Sequence, residues 1–138
     1  MSITYLLDTS TVSYIAKGKS PAARARLQAL GDDETVCISS ITEAELRYGL
    51  AKRPEARQLR KSIEGLLFRL RILAWGSKEA AAYGELRARL EGAGITLSQL
   101  DLQIAAHALA IGAVLVTNDK AFLQVNDLDK MENWALDL

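Results

Sequence analysis

The chain has 138 residues, 49% of them hydrophobic, and its 17 basic and 17 acidic residues cancel at neutral pH. This length predicts one domain over residues 1–138 that buries about two-thirds of the surface of its unfolded chain. The sequence contains no long apolar run and no basic start followed by a cleavage site, which argues against a membrane span or a secretory leader and predicts a cytoplasmic protein. One cysteine and one histidine exclude an internal disulfide and argue against a zinc site.

The amino-terminal half alternates short apolar runs with helical stretches. The first apolar run ends at Asp8, and the Thr-Ser-Thr that follows favours the start of a helix. Pro21 is typical of a first helical turn, and Ser39 and Ser40 are typical of another helix start. The predicted elements are a strand at 3–7, a helix after Asp8, a helix at 21–30, a strand at 36–38, and helices at 41–50 and 55–67.

The carboxy-terminal half continues the same alternation. Its predicted elements are a strand at 71–75, a helix at 78–90, a helix from Ser98 to the stop at Gly112, a buried strand at 113–117 and an edge strand at 133–136. Each connection between strands is long enough for a crossover helix, so the pattern predicts an α/β fold with a mostly parallel sheet of four to five strands.

The zero net charge hides an uneven distribution along the chain. Residues 47–71 hold eight cations and two acids, whereas residues 99–138 hold six acids and two cations. A basic surface beside an acidic site suits a metal-dependent enzyme that acts on a polyanion, although a solvated helix face fits the basic stretch equally well. The candidate residues for binding such a polyanion are Arg47, Arg57, Arg60 and Lys61. Arg47 also has an alternative, an ion pair with Glu43 four residues before it on the same helix.

Four acids lie where a parallel sheet places its ligands. Asp8 and Asp119 directly follow predicted strands, while Glu43 and Asp101 lie in the first turns of predicted helices. Carboxylates brought together in this way repel one another unless they share protons or bind a cation, and oxygen ligands select a hard ion such as Mg²⁺ or Mn²⁺. The four acids together therefore favour a shared metal site.

Each acid also has a purely structural alternative. Ser40 to Glu43 and Ser98 to Asp101 both match a capping box, and Asp8 and Asp119 suit helix N-caps. His107, the single histidine, and Cys37 are predicted to be packing residues.

The segments YLLDTSTVSYIAKG, ISSITEAELRYGL, LSQLDLQIAAHALAIGAVLVTND and MENWA occur in this order over essentially the whole chain. In sequence and spacing they resemble the successive motifs of VapC-type PIN domains, the ribonuclease toxins of type II toxin–antitoxin pairs. The resemblance implies a three-layer α/β/α fold and an acidic metal site formed by Asp8, Glu43, Asp101 and Asp119. It places Ser10, Thr117 and Asn118 as supporting polar residues, with the assignment of Asp119 or Asn118 to the metal left open.

The resemblance further implies hydrolysis of RNA phosphodiester bonds with Mg²⁺, or with Mn²⁺ in its place, leaving 5′-phosphate and 3′-hydroxyl ends. It also implies a homodimer and a cognate VapB-type antitoxin whose carboxy-terminal segment covers the active-site groove. The alternative is a non-catalytic metal-binding α/β module that acts in signalling or protein interaction. Such a receiver-like module would carry paired acids after its first strand, where this chain has Asp8 followed by Thr9 and Ser10.

Overall fold

The computed structural model describes residues 2–135. Strands and helices alternate along almost the whole of this range. In chain order they are β1 (Ile3–Leu7), α1 (Thr9–Ala16), α2 (Pro21–Gln28), β2 (Glu34–Ser39), α3 (Ser40–Lys52), α4 (Arg57–Arg69), β3 (Arg71–Leu73), α5 (Ser77–Gly92), α6 (Gln99–Ile111), β4 (Val114–Val116), a short 3₁₀ helix (Lys120–Gln124) and β5 (Met131–Glu132).

The five strands form one sheet in the order β3-β2-β1-β4-β5, and every neighbouring pair is parallel. Strand β1 lies at the centre, where Leu7 pairs with Ile38 of β2 on one side and with Val116 of β4 on the other. The chain builds the sheet outward from β1 through β2 to β3, and it then returns to add β4 on the opposite side. The carboxyl ends of β1 and β4 therefore border the crevice where such folds bind ligands.

The two faces of the sheet are covered by different sets of helices. Successive strand residues point to opposite faces, so Leu7 and Ile38 join a core with α1 to α4, whereas Leu6 and Cys37 join a second core with α5 and α6. Helices thus cover both faces, which confirms the predicted three-layer arrangement. Cys37 and His107 are 0% and 1% exposed, as expected for packing residues.

The helix ends follow the sequence signals with one correction. Ser98 caps α6 by accepting a hydrogen bond from the backbone N–H of Asp101 at 3.1 Å. Gly112 ends that helix with φ of 65°, a left-handed conformation that favours glycine. The capping box predicted from Ser40 to Glu43 is wrong, because the N-cap of α3 is Ser39 and Ser40 is already the first helical residue.

The predicted edge strand at 133–136 is also misplaced, since β5 occupies Met131–Glu132 and residue 136 lies outside the described residues. The Oδ1 atom of Asn133 accepts the N–H of Ala135 at 2.9 Å, which closes a turn there. Trp134 turns inward, and its ring packs edge-on against Tyr5 with the centroids 5.3 Å apart. Within residues 2–135 no helix has the length and apolar character needed to cross a bilayer.

Candidate active site

The candidate site lies at the carboxyl edge of β1 and β4. The backbone N–H of Asp8 donates to the carbonyl oxygen of Val116 at 3.0 Å, so the residues after the two strands are neighbours. Asp8 begins the turn into α1, and Thr117 begins the turn that leads to Asp119. The parallel pairing of two strands from opposite ends of the chain thus brings the first and last predicted acids to one place.

Asp8 is held at both carboxylate oxygens. Its Oδ1 atom accepts the backbone N–H of Thr11 at 2.9 Å, which makes Asp8 the N-cap of α1. Its Oδ2 atom accepts the hydroxyl of Thr117 at 2.6 Å. The side chain is only 5% exposed, so these two bonds orient it without much help from water. The prediction that Asp8 is a helix N-cap is therefore correct for Oδ1, whereas Oδ2 faces Thr117 at the carboxyl edge of β4.

Thr117 also contacts the loop that carries Asp119. Its hydroxyl oxygen accepts the backbone N–H of Asp119 at 3.0 Å while donating its own hydrogen to Asp8. The Oδ1 atom of Asp119 accepts the N–H of Ala121 at 2.9 Å and so caps the 3₁₀ helix. Asp119 is exposed, and its second oxygen is available to a ligand.

The third acid, Asp101, lies in the first turn of α6 and is partly buried. Burial raises the pKa of its carboxyl group. A hydrogen bond from the side chain of Ser98 lowers this pKa, and the charges of Asp119 and Asp8 raise it further. Burial likewise raises the pKa of Asp8, hydrogen bonds from Thr117 and Thr11 oppose the increase, and the charge of Asp119 adds to it. The charge of Asp119 thus acts on both other aspartates and disfavours their ionised forms.

Glu43 lies in the first turn of α3, near the start of α1 that Asp8 caps. The hydroxyl groups of Thr9 and Thr42 are 3.3 Å apart, which brings the start of α3 against the start of α1. Glu43 itself accepts a hydrogen bond from Nε of Arg47 at 3.0 Å, in the ion pair that the sequence offered as the alternative role of Arg47. The structure therefore brings three of the four acids together and pairs the fourth with a cation.

The supporting and RNA-binding candidates fall into different environments. Thr117 contacts Asp8, whereas Ser10 is exposed in the first turn of α1 and Asn118 is partly exposed between Thr117 and Asp119. Arg57 and Lys61 are exposed on α4. Arg60 is partly tied to the protein, donating to the carbonyl of Leu50 at 3.2 Å and lying 3.5 Å from Glu64.

The donor set suits a hard divalent cation. Among residues 2–135 no three acidic, histidine or cysteine side chains already lie close enough together to hold a metal ion. Mg²⁺ does not require such a group, because it commonly binds through one or two carboxylates and keeps several waters. A bound cation would counteract the burial and the neighbouring charge that raise the pKa of Asp8 and Asp101, and oxygen donors select a hard ion.

Three hydrogen bonds near the start of α3 were not predicted from the sequence. His107 lies 2.8 Å from the hydroxyl of Ser39, and Trp75 donates to both Ser40 and Gln103. These residues lie on β2, α3, α6 and the loop after β3, and no local sequence pattern relates them.

Comparison with known proteins agrees with this geometry. The sequence profile of the PIN domain matches residues 5–128. The chain is 38% identical to Ribonuclease VapC2 of Rickettsia felis, over 94% of this chain and 97% of that protein. It is 32% identical to the tRNA(fMet)-specific endonuclease VapC of Salmonella typhimurium, over 96% of this chain and 99% of that protein.

The fold also matches a solved structure closely. The crystal structure of VapBC2 from Rickettsia felis, bound to a DNA fragment from its promoter, superposes with a TM-score of 0.88 at 36% identity, covering 96% of this chain and 99% of that chain. PIN-domain nucleases generally depend on divalent metal ions. The parallel sheet, the aspartates at its central edge and these full-length similarities lead to one conclusion: the chain belongs to the PIN-domain family, among the VapC ribonucleases.

Proposed function

We propose that this protein is the toxin of a type II toxin–antitoxin pair and acts as a Mg²⁺-dependent endoribonuclease. The observation that carries the proposal is the grouping of Asp8, Asp101 and Asp119 at the carboxyl edge of the central strands of a VapC fold, where the charge of Asp119 adds to the effect of burial in raising the pKa of the other two carboxyl groups. Holding these charges together raises the free energy of the folded protein, which indicates that the arrangement serves a function. The relatives are named ribonucleases, which supports the nuclease over the signalling module.

In the proposed site Asp8, Asp101 and Asp119 would hold the ion, and Glu43 would be a fourth ligand if its pair with Arg47 were broken. When bound, the ion supplies an activated water and stabilises the negative charge that develops on the phosphate and the leaving oxygen. Asp8 is suited to a fixed ligand role because Thr11 and Thr117 restrict its rotation. The hydrogen bond from Thr117 also favours the ionised form of Asp8, which is the form that binds a cation.

Mg²⁺ is proposed over softer ions because the candidate ligands are carboxylates, with Mn²⁺ able to replace it. Ser10 and Asn118 are proposed to act through water at the rim of the site, since both are accessible to solvent. The exposed cations on α3 and α4 are proposed to bind the RNA backbone, because Lys and Arg side chains neutralise phosphate charge. These cations are Arg47, Arg57, Arg60 and Lys61.

The relative from Salmonella typhimurium is named for tRNA(fMet), and tRNA is accordingly the first substrate to test. The similar solved structures are complexes of a VapB antitoxin with VapC. We therefore propose a cognate VapB-type partner that neutralises the protein, together with a homodimeric toxin, a single PIN domain over residues 1–138, and action in the cytoplasm. An acidic site of this kind would attract a cationic side chain from the antitoxin.

The proposal is tested by incubating the purified protein with total RNA and with tRNA, with and without Mg²⁺, and mapping the ends of the fragments. Cleavage that needs the ion and leaves 5′-phosphate and 3′-hydroxyl ends is expected. The variants Asp8→Asn, Glu43→Gln, Asp101→Asn and Asp119→Asn should lose activity, each by about 100-fold or more if it removes a ligand.

The matched control is Asp129→Asn, an exposed acid that precedes β5 at the opposite edge of the sheet. It changes the net charge by the same amount and should retain full activity. Wild-type cleavage by all four site variants would overturn the assignment of the site. Cleavage that persists in excess chelator would overturn the metal dependence.

A further inference from the structure

Helix α6, which carries Asp101, contacts the start of α3, which carries Glu43, through two separate connections. In the first, Nδ1 of His107 on α6 lies 2.8 Å from the hydroxyl oxygen of Ser39. In the second, the indole of Trp75 donates to the carbonyl oxygen of Gln103 on α6 at 2.9 Å, while the backbone N–H of Trp75 donates to the hydroxyl of Ser40 at 3.1 Å. We call these five residues the serine clamp.

The first connection is fully buried. Ser39 is 0% exposed and His107 is 1% exposed, so water competes little for their hydrogen bond. The Ser39 hydroxyl also accepts the N–H of Ile41 at 3.1 Å and thereby caps α3. Its orientation is thus set by β2, by α3 and by α6 together. Burial lowers the pKa of His107, although the charge of Glu79 opposes this, so the ring is neutral at physiological pH.

The second connection complements the first in geometry. Gln103 and His107 are four residues apart on α6 and therefore lie on the same face of that helix. Ser39 and Ser40 are consecutive at the junction of β2 and α3. His107 contacts Ser39 directly, whereas Gln103, one turn earlier on α6, is linked to Ser40 through Trp75. Two links one turn apart oppose both rotation of the helix about its axis and sliding along it.

This restraint acts on the acids. Asp101 is two residues from Gln103, and Glu43 is three residues from Ser40, so a shift of α6 against α3 would change the separation of these two carboxylates. Among the described contacts, neither Asp101 nor Glu43 is hydrogen-bonded to Asp8. No direct bond therefore fixes the distance of either residue from Asp8. The clamp is the part of the structure that joins their two helices by hydrogen bonds.

We propose that His107 and Trp75 are positioning residues of the ribonuclease, which set the separation of Asp101 and Glu43 through Ser39 and Ser40. The inference rests on the proposed function of this site. Neither residue is required to touch RNA or the metal ion. Replacing a residue that orients a metal ligand without touching the metal commonly lowers metal affinity or activity by about 10- to 100-fold.

A purely structural role for His107 makes a different prediction, and two variants separate the two roles. His107→Leu keeps an apolar side chain in the core but removes the hydrogen bond, whereas His107→Asn loses ring volume but places an amide near the position of Nδ1. If packing is what matters, leucine should be the better replacement. If the hydrogen bond to Ser39 matters, asparagine should rescue activity.

We expect kcat of His107→Leu to fall by about 10- to 100-fold with KM for RNA almost unchanged, because positioning affects the transition state more than substrate binding. His107→Asn should recover most of the lost kcat. Trp75→Phe, which keeps an aromatic ring but removes the indole N–H, should lower kcat in the same way by a smaller factor.

A second readout does not depend on activity. Calorimetric titration with Mn²⁺ in the absence of RNA should show about tenfold weaker binding for His107→Leu and near wild-type binding for His107→Asn. The matched control is Ile104→Val, a small change at a buried position of α6 outside the clamp. It should lose some thermal stability and keep both kcat and Mn²⁺ affinity.

Wild-type kcat and Mn²⁺ affinity in His107→Leu, or better function with leucine than with asparagine, would overturn the proposal. If His107→Leu fails to fold, Trp75→Phe measured in the same two assays decides the question. A wild-type protein that binds Mn²⁺ but cleaves no RNA would refute the proposed function, while the Mn²⁺ titrations of the variants would still test the clamp.

Discussion

The hydroxyl group of Thr117 lies 2.6 Å from Oδ2 of Asp8, a bond between residues 109 positions apart in the chain. This bond joins Asp8, the first acid of the site along the chain, to the loop that carries Asp119, the last one. Because Asp8 is buried, this bond replaces one that water would otherwise make to the carboxylate.

We predict that Thr117→Val, which is nearly isosteric, lowers the free energy of unfolding by about 1–3 kcal/mol at pH 7, since it leaves a buried carboxylate oxygen without its donor. The loss should be smaller in acid, where Asp8 is protonated. Urea denaturation at several pH values measures it. Thr117→Ser keeps the hydroxyl and serves as the control. Equal stability of the valine and serine variants at pH 7 would show that the bond contributes nothing.

We predict that Asp101→Asn stabilises the metal-free protein, and increasingly so as the pH rises. The unfolded aspartate titrates near pH 3.9, and burial with the neighbouring charges of Asp119 and Asp8 raises the pKa of the folded one. The folded state therefore binds the proton more tightly, and wild-type stability falls as the pH rises from about 4 through the raised value. Asparagine removes this loss.

Melting temperatures measured in chelator between pH 4 and 7 test the prediction. The difference between Asp101→Asn and wild type should grow with pH, and added Mg²⁺ should reduce or reverse it, because the ion stabilises only the protein that binds it well. Asp129→Asn, at the opposite edge of the sheet, should show neither effect. A difference that does not change with pH would mean that Asp101 is not destabilised in the fold.

We predict that Arg47→Gln has opposite effects on two ligands. The Arg47 side chain is 57% exposed, so its pair with Glu43 should contribute less than about 1 kcal/mol to stability. Without Arg47, Glu43 is free, and divalent affinity should increase. RNA affinity, measured without divalent ions, should decrease because a phosphate contact is lost.

The control for this variant is Arg87→Gln, which breaks a similar pair with Glu91 at 2.8 Å on α5. It should change neither affinity. A simultaneous decrease of both affinities in Arg47→Gln would mean that Arg47 holds Glu43 in its binding position instead of competing for it.

We predict that replacing Arg57, Arg60 and Lys61 by glutamine weakens RNA binding and flattens its dependence on salt. Each lost phosphate contact should lower the slope by roughly 0.7 for a single-stranded substrate. The matched control replaces Lys78, Arg87 and Arg89 on α5, a helix of the opposite face of the sheet. The salt dependence of the affinity for a labelled RNA distinguishes the two triple variants, and equal slopes would make the α4 cations an ordinary solvated surface.

The sequence predicted the order of elements well because most are specified by nearby residues. Pro21, Ser98 and Gly112 mark helix boundaries by their own backbone and capping chemistry, and the structure has boundaries at all three. Ser39 and Ser40 could not be told apart, because either hydroxyl suits an N-cap and their other partners, His107 and Trp75, are distant in the chain. The edge strand was misplaced for a similar reason, since Trp134 packs on Tyr5 instead of continuing β5.

The sequence predicted candidate members of the site but not their contacts. Position after a strand singled out Asp8 and Asp119 as candidates without any knowledge of the fold, and both follow strands in the structure. The sequence could not say that Asp8 uses one oxygen as a helix cap and presents the other to Thr117, because the two roles fit the same residue type. It offered both roles of Arg47, and only side-chain geometry shows that Arg47 is paired with Glu43.

The central place of β1 determines when the site forms during synthesis. Thr117 lies 109 residues after Asp8 and is therefore made later. A nascent chain that has not yet reached β4 has an unpaired edge on β1 and no hydroxyl to orient Asp8. The sheet order thereby makes assembly of the acidic site wait until β4 and Thr117 have been synthesised.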